Sequence, residues 1–78
     1  MDNTGTRLQA IFQELFELPA NTDVTASRQD NVAAWDSMAH ISLMAAIEGE
    51  FGVTIDAGDS MLLTSYEAVH SWLQGHGA

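Results

Sequence analysis

Apolar residues with the spacing of one helix face lie near the start of the chain, and they constrain the fold more than any other feature. At positions i, i+3, i+4, i+7 and i+8 stand Leu8, Ile11, Phe12, Leu15 and Phe16. Glutamine and glutamate residues occupy the opposite face, so the pattern predicts an amphipathic helix. We expect Thr6 to cap this helix and Pro19 to close it near Leu18.

A second amphipathic helix is predicted from Met38 to Phe51, with Asp36 or Ser37 as its capping residue. Its broad apolar face comprises Met38, Ile41, Leu43, Met44, Ile47 and Phe51. Alanines in the same stretch favour helix formation, and Gly52 is well placed to end it.

Residues 19–36 show no clear periodicity, and a connection of this length is unusual in a compact domain. We interpret it as an ordered loop that Val24, Val32 and Trp35 hold against the helices. Residues 53–55 have strand-like composition but no second strand to pair with, so they are predicted to form an extended linker.

Two further helices are predicted in the last third of the chain. Asp59 or Ser60 is expected to cap a short one through residues 61–63. Thr64 and Glu67 match a capping box for a last helix that buries Val69 and ends at Gly75. The prediction is an all-α, small four-helix bundle with three longer helices and one short one. Residues 1–78 form a single domain, with residues 1–5 and 75–78 as loose ends.

The charge balance narrows the classes of partner. Eleven acidic residues stand against Arg7 and Arg28, and the formal net charge is −9. Such a surface repels phosphate backbones and anionic lipid headgroups, so neither nucleic acid nor membrane is expected as a partner. Basic surfaces of other proteins are the favoured binding partners. The chain has no cysteine, no membrane-length apolar run and no secretion signal, and we therefore expect a cytoplasmic protein.

Ser37 is the candidate functional residue. It follows a long polar loop and opens the second helix, where the helix macrodipole stabilises an attached anion. In many proteins such a serine is only a capping or first-turn residue. Here Asp36 can satisfy the free helix amides itself, which leaves the serine hydroxyl available. With no activating base evident, the position suits covalent attachment better than nucleophilic catalysis.

The stretch Asp36-Ser37-Met38, continued by Ile41, Leu43, Ile47, Glu48, Glu50 and Phe51, resembles the attachment site and second helix of acyl carrier proteins. The usual triplet of that family is Asp-Ser-Leu, and the resemblance covers nearly the whole chain. It implies that a phosphopantetheinyl transferase attaches 4′-phosphopantetheine from coenzyme A to Ser37. The thiol of this arm then carries acyl or aminoacyl groups as thioesters. A loading enzyme and downstream synthase enzymes are the implied partners of a non-catalytic carrier, which need be no more than a monomer.

The residues around Ser37 suggest further roles. Asp36 supports the modification and can help to bind a divalent cation. Partner docking falls to Trp35, Met38, His40, Ile41 and Glu48. A candidate acyl-chain pocket comprises Met44, Ile47, Leu62 and Ala68. Two interpretations of the methionine-rich interior stay open: Met38, Met44 and Met61 form ordinary core, or they let the bundle open around an acyl chain.

Some positions depart from the carriers of primary fatty acid synthesis. Ser42 and Gly49 stand where acidic residues are common in that group, and Trp35 replaces a small aliphatic residue. These departures favour a specialised pathway, such as polyketide or nonribosomal peptide assembly, over fatty acid synthesis. The tandem glycines that often precede the serine of peptidyl carriers are missing. A start at Met1, close to the first helix, suits a free-standing carrier.

Other function classes fit less well. An unmodified acidic helical adaptor remains the principal alternative. Hydrolysis by a Ser37–His40 pair lacks a third group and an oxyanion site. No two histidines share a metal-ligand spacing, and Asp56 and Glu67 lack the intervening oxygens and glycine of a calcium loop, so no metal site is predicted.

Overall fold

Within the described residues, four helices follow one another, and one 3₁₀ turn lies between the first two. The computed structural model describes residues 3–19 and 21–76. The helices are α1 (Thr4–Leu15), α2 (Ser37–Phe51), α3 (Ala57–Leu62) and α4 (Tyr66–Gly75), and the 3₁₀ helix spans Val24–Ala26. The predicted all-α bundle, with three longer helices and one short one, is confirmed.

Helix α1 begins two residues before the predicted cap, Thr6. Asn3 precedes it without a side-chain capping bond, and Thr4 is buried. The Tyr66 hydroxyl donates to the Gly5 carbonyl oxygen at 3.1 Å, which fixes this first turn to α4. Thr4 and Gly5, expected in the loose terminus, therefore belong to the helix. Met1 and Asp2 lie outside the described residues.

The end of α1 comes earlier than Pro19 alone suggests. Glu17 adopts a left-handed backbone conformation with φ 51°. The Leu18 amide then donates to the Gln13 carbonyl oxygen at 3.0 Å, which is the six-to-one bond of a Schellman motif. Helix α1 thus ends at Leu15, and Leu18 packs partly buried against the core.

Helix α2 has the predicted termini. Asp36 is the capping residue, and its carboxylate accepts from the Ala39 amide at 2.8 Å. Gly52 ends the helix at φ 66°, a conformation that favours glycine. The expected broad apolar face, however, is divided. Ile47 is fully buried, whereas Met38 and Ile41 are 79% and 70% exposed. Met38 is nine residues from Ile47, which at 3.6 residues per turn puts them on opposite sides of the helix.

The capping residues of the last two helices differ from those predicted. Asp56, not Asp59 or Ser60, caps α3 and accepts from the Asp59 amide at 2.8 Å. Ser65, not Thr64, caps α4 and accepts from the Ala68 amide at 3.0 Å. The predicted capping box is therefore wrong: the cap lies one residue later, and the residue three positions after it is Ala68 rather than a glutamate.

The C-terminal residues 75 and 76, expected to be a loose end, are in contact with the rest of the protein. Helix α4 reaches Gly75, as predicted, and the His76 ring stacks on Trp72 with 3.8 Å between centroids. Gly77 and Ala78 lie outside the described residues.

The long connection between α1 and α2 is ordered by burial and by main-chain bonds. Val24 and Trp35 are buried, and Val32 packs partly buried against the same core. The Gln29 amide donates to the Thr64 carbonyl oxygen, and the Tyr66 amide donates to that of Ser27, each at 2.9 Å. These observations confirm the interpretation of this connection as an ordered loop for residues 21–36; Ala20 lies outside the described residues. Residues 53–55 form the predicted linker.

Phe12 lies at the centre of the core. It is fully buried, and its ring makes edge-on contacts with Phe16, Trp35 and Tyr66 at centroid distances of 5.4–5.6 Å. Edge-to-face aromatic pairs add to the energy of simple burial. Through Trp35 this cluster fixes the loop immediately before Ser37.

Candidate functional site

Ser37 is the first residue of α2, and its side chain is exposed. Because the Asp36 carboxylate accepts the hydrogen bond from Ala39, the serine is not needed as a cap. Within the described part of the chain, the Ser37 hydroxyl makes no hydrogen bond. It therefore remains accessible at the positive end of the helix macrodipole, where an attached phosphate diester is stabilised.

Trp35 and His40 bracket Ser37 and are joined to each other. The Trp35 indole Nε1 donates to His40 Nδ1 at 3.0 Å. Indole N–H is a donor only, so Nδ1 is unprotonated in this bond and the neutral ring carries its proton on Nε2. Nε2 lies 2.9 Å from the Ser60 carbonyl oxygen and donates to it. This Trp35–His40–Ser60 bridge connects the start of α2 to α3.

The bridge defines what His40 does. Its two ring nitrogens are engaged by Trp35 and Ser60, so neither is directed to the Ser37 hydroxyl as a base. The ring is half-buried and lies nearly parallel to the Trp35 ring, with 6.0 Å between centroids, and Trp35 is itself 2% exposed. Two of the residues expected at the docking surface, Trp35 and His40, are therefore engaged in internal contacts beneath the site.

Glu48, another residue expected to dock partners, also has an internal role. Its Oε2 accepts from the Ile55 amide at 2.8 Å, which fastens the α2–α3 linker to the helix. Glu50 is paired with Arg7, whose Nε donates to Glu50 Oε2 at 2.8 Å. The Arg7 guanidinium also lies 4.6 Å from the Phe51 ring centroid. Both acids near the end of α2 thus have intramolecular partners.

Exposed large apolar side chains, in contrast, are found on the parts of α2 and α3 that the Trp35–His40–Ser60 bridge joins. They are Met38, Ile41, Met61 and Leu62, with 70–79% of each exposed. His40 and Ser60 are hydrogen-bonded and directly precede Ile41 and Met61, so the two pairs belong to adjoining parts of α2 and α3. We call these four residues the α2–α3 patch. Exposed apolar clusters of this kind mark surfaces that bind other molecules.

The structure separates the residues of the candidate acyl-chain pocket. Met44 and Ile47 are buried, and Ala68 packs partly buried against the same core. Leu62 is 72% exposed and belongs to the α2–α3 patch. The core interpretation therefore holds for Met44, but not for Met38 or Met61. Met61 is a surface residue that the sequence interpretation placed inside.

Some further features bear on the class of function. In the described ranges, no cluster of three or more histidine, aspartate and glutamate side chains has a geometry that could hold a metal ion. Within the same ranges, no helix has the length and apolar content needed to cross a membrane.

No protein-family model matches the chain, and no curated protein matches it significantly.

Proposed function

We propose that this protein is a non-catalytic acyl carrier that bears 4′-phosphopantetheine on Ser37. The arm tethers acyl or aminoacyl intermediates as thioesters and presents them to successive enzymes of a biosynthetic pathway in the cytoplasm. A phosphopantetheinyl transferase installs the arm from coenzyme A, and a loading enzyme then acylates its thiol.

One observation carries the proposal: Asp36 caps α2, so the exposed Ser37 hydroxyl is left free at the helix N-terminus. The serine oxygen attacks the β-phosphate of coenzyme A, its proton is lost to solvent or transferase, and 3′,5′-adenosine bisphosphate leaves. The second oxygen atom of the Asp36 carboxylate can help to hold the divalent cation that this transfer uses. The resulting phosphodiester gains from the helix dipole.

The engagement of His40 supports a carrier rather than a hydrolase. A nucleophilic serine requires a base within hydrogen-bond reach, and both His40 nitrogens are bonded elsewhere. The arm supplies the thiol that a chain without cysteine lacks.

The α2–α3 patch supports apolar partner docking. Met38 and Ile41 are exposed beside Ser37, whereas Glu48 and Glu50 are engaged within the chain. A docking surface with these properties fits the specialised pathways, such as polyketide or nonribosomal peptide assembly, better than primary fatty acid synthesis.

Intact mass spectrometry tests the proposal. The purified protein is incubated with coenzyme A, magnesium and a broad-specificity phosphopantetheinyl transferase. The wild type is expected to gain one phosphopantetheine unit, and Ser37→Ala none. Ser42→Ala is the matched control, because Ser42 is exposed on the same helix and the variant should still be modified. An unchanged wild-type mass with several such transferases contradicts the proposal.

The α2–α3 patch also favours a second candidate, an unmodified acidic adaptor that binds partners through that surface. The same experiment separates the two functions. An adaptor keeps its apo mass, and its partner binding is insensitive to Ser37→Ala.

A further inference from the structure

A groove lies within the α1–α2 connection, between the segment that directly follows α1 (residues 16–19) and the segment 22–34, on a part of the molecule that the α2–α3 patch does not include. Its volume is about 580 Å³. Apolar side chains from both segments line it, among them Phe16, Leu18, Val32 and Ala33. Grooves of this size and lining accept small molecules or parts of them.

The groove begins close to Ser37 along the chain. Ala34 lies on its lining and is three residues before Ser37. Consecutive Cα atoms are 3.8 Å apart, so the Cα atoms of Ala34 and Ser37 are separated by at most about 11 Å. The arm consists of a phosphate, a pantoate, a β-alanine and a cysteamine unit. Each of these spans roughly an extended residue, so their combined reach is about 13 Å or more. A group tethered to Ser37 can therefore reach the groove.

The groove is lined by acidic side chains that have no basic side chain as a partner among the described residues. Glu17 and Asp23 line it. The chain contains only two basic residues other than histidine, and both are paired elsewhere: Arg7 with Glu50, and Arg28 with Asp30. A carboxylate on the cargo would be repelled here, and an ammonium group would be attracted.

We propose that this groove holds the end of the tethered cargo, and that the cargo is an acyl group with a small apolar body and a free amine. The apolar lining contacts the body of the cargo, and Glu17 and Asp23 accept from its ammonium group. This inference rests on the proposed carrier function and narrows it to aminoacyl intermediates, whose α-amino groups are largely protonated at pH 7.

Two cargoes that differ only in the amine test the inference. Wild-type protein is loaded at Ser37 with a pantetheine analogue that holds either an alanyl or a propionyl group through a stable amide. Amide shifts in ¹H–¹⁵N spectra are then compared with those of the unloaded arm. We expect the alanyl cargo to shift the amides of Leu18, Ala26 and Ala33, and the propionyl cargo to shift them much less.

A double variant tests the role of charge. Glu17→Gln with Asp23→Asn removes both charges and keeps similar shapes. The side-chain amide oxygen introduced by Asp23→Asn can still accept from the Thr25 amide, as the Asp23 carboxylate does. Charge-assisted hydrogen bonds are about twice as strong as neutral ones, so we expect the groove-bound alanyl population to fall about fivefold. Glu67→Gln, which changes an exposed acid on α4, is the matched control and should leave that population unchanged.

The outcomes distinguish the two proposals. Equal shifts from alanyl and propionyl cargo, or shifts confined to the α2–α3 patch, overturn the groove assignment and leave the carrier function standing. Failure to attach any pantetheine at Ser37 overturns both.

Discussion

The two halves of α2 differ although both are rich in apolar residues. In the N-terminal half, residues 37–42, Met38 and Ile41 are exposed beside a free serine hydroxyl. In the C-terminal half, residues 43–51, Leu43 and Ile47 are fully buried. The polar contacts divide in the same way, because Glu48 and Glu50 are both bonded within the chain.

The difference shows how one short helix packs into the core through its C-terminal half and exposes side chains to partners through its N-terminal half. The C-terminal half binds the helix to the core, to Arg7 and to the α2–α3 linker. The N-terminal half is held by its Asp36 cap and by the Trp35–His40–Ser60 bridge, which together leave its outer surface open. Anchoring at one end therefore lets the other end expose Ser37 without being loosely ordered.

The largest expected effect comes from truncating the anchored half. Ile47→Ala removes a fully buried side chain and should lower the free energy of unfolding by about 2–5 kcal/mol. Ile41→Ala, the matched control in the displayed half, should change it by less than about 0.5 kcal/mol. Urea unfolding followed by tryptophan fluorescence measures both. Similar losses in the two variants would show that the halves are not distinct.

If Ile47→Ala fails to fold, Ile47→Val supplies a milder version. It should cost about 0.5–1.5 kcal/mol, still more than Ile41→Ala.

The second largest loss of stability is expected when the Trp35–His40–Ser60 bridge is broken. His40→Phe keeps a ring against Trp35 but leaves the buried indole N–H without its acceptor, at an expected cost of about 1–3 kcal/mol in unfolding free energy. His76→Phe is the control, since His76 is exposed and its ring stacking on Trp72 is retained. A His40→Phe variant as stable as wild type would mean that the bridge does not hold the displayed half.

The Asp36 cap should have a somewhat smaller effect on stability. Asp36→Ala removes the acceptor for the Ala39 amide and should cost about 0.5–2 kcal/mol, whereas Asp36→Asn keeps an acceptor and should be nearly neutral.

The Asp36→Asn variant also isolates the carboxylate charge. If that charge helps to bind magnesium, Asp36→Asn should fold normally but accept phosphopantetheine more slowly than wild type. Wild-type rates of modification, followed by intact mass over time, would limit Asp36 to its capping role.

The surface ion pair should contribute least. Arg7 and Glu50 are 44% and 45% exposed at their side chains, so Arg7→Gln should cost less than about 1 kcal/mol. The difference from wild type should shrink further as salt screens the pair, which urea unfolding at low and high salt can measure. A larger cost that is independent of salt would assign the role of Arg7 to packing on Phe51.

Several of these features were readable from the sequence. The apolar spacing of α1 and α2 predicted both helices, and the Asp36 cap and the Gly52 terminus followed from their side chains. The division of α2 was also accessible, because Met38 and Ile47 are half a turn out of phase on a helical wheel. The Asp56 cap was accessible in the same way, because this aspartate stands three positions before Asp59, whose amide donates to it.

Other features depended on contacts between distant residues. Thr64 and Ser65 are adjacent and both are good caps, and pairing of Arg28 with Ser65 selects the second by holding its backbone extended. Glu17 takes a left-handed conformation that glycine usually occupies. His40 gave no local sign that it would join Trp35 to α3.

By itself, the sequence determined the helices and the position of Ser37, because helix periodicity and capping depend on residues within a few positions of one another. Only the tertiary structure decided which apolar residues stay on the surface next to Ser37, which acidic side chains are hydrogen-bonded or ion-paired within the chain, and where the groove lies. Those properties arise from packing and hydrogen bonding between segments that are far apart in the chain. Local patterns carry no information about which of those segments meet.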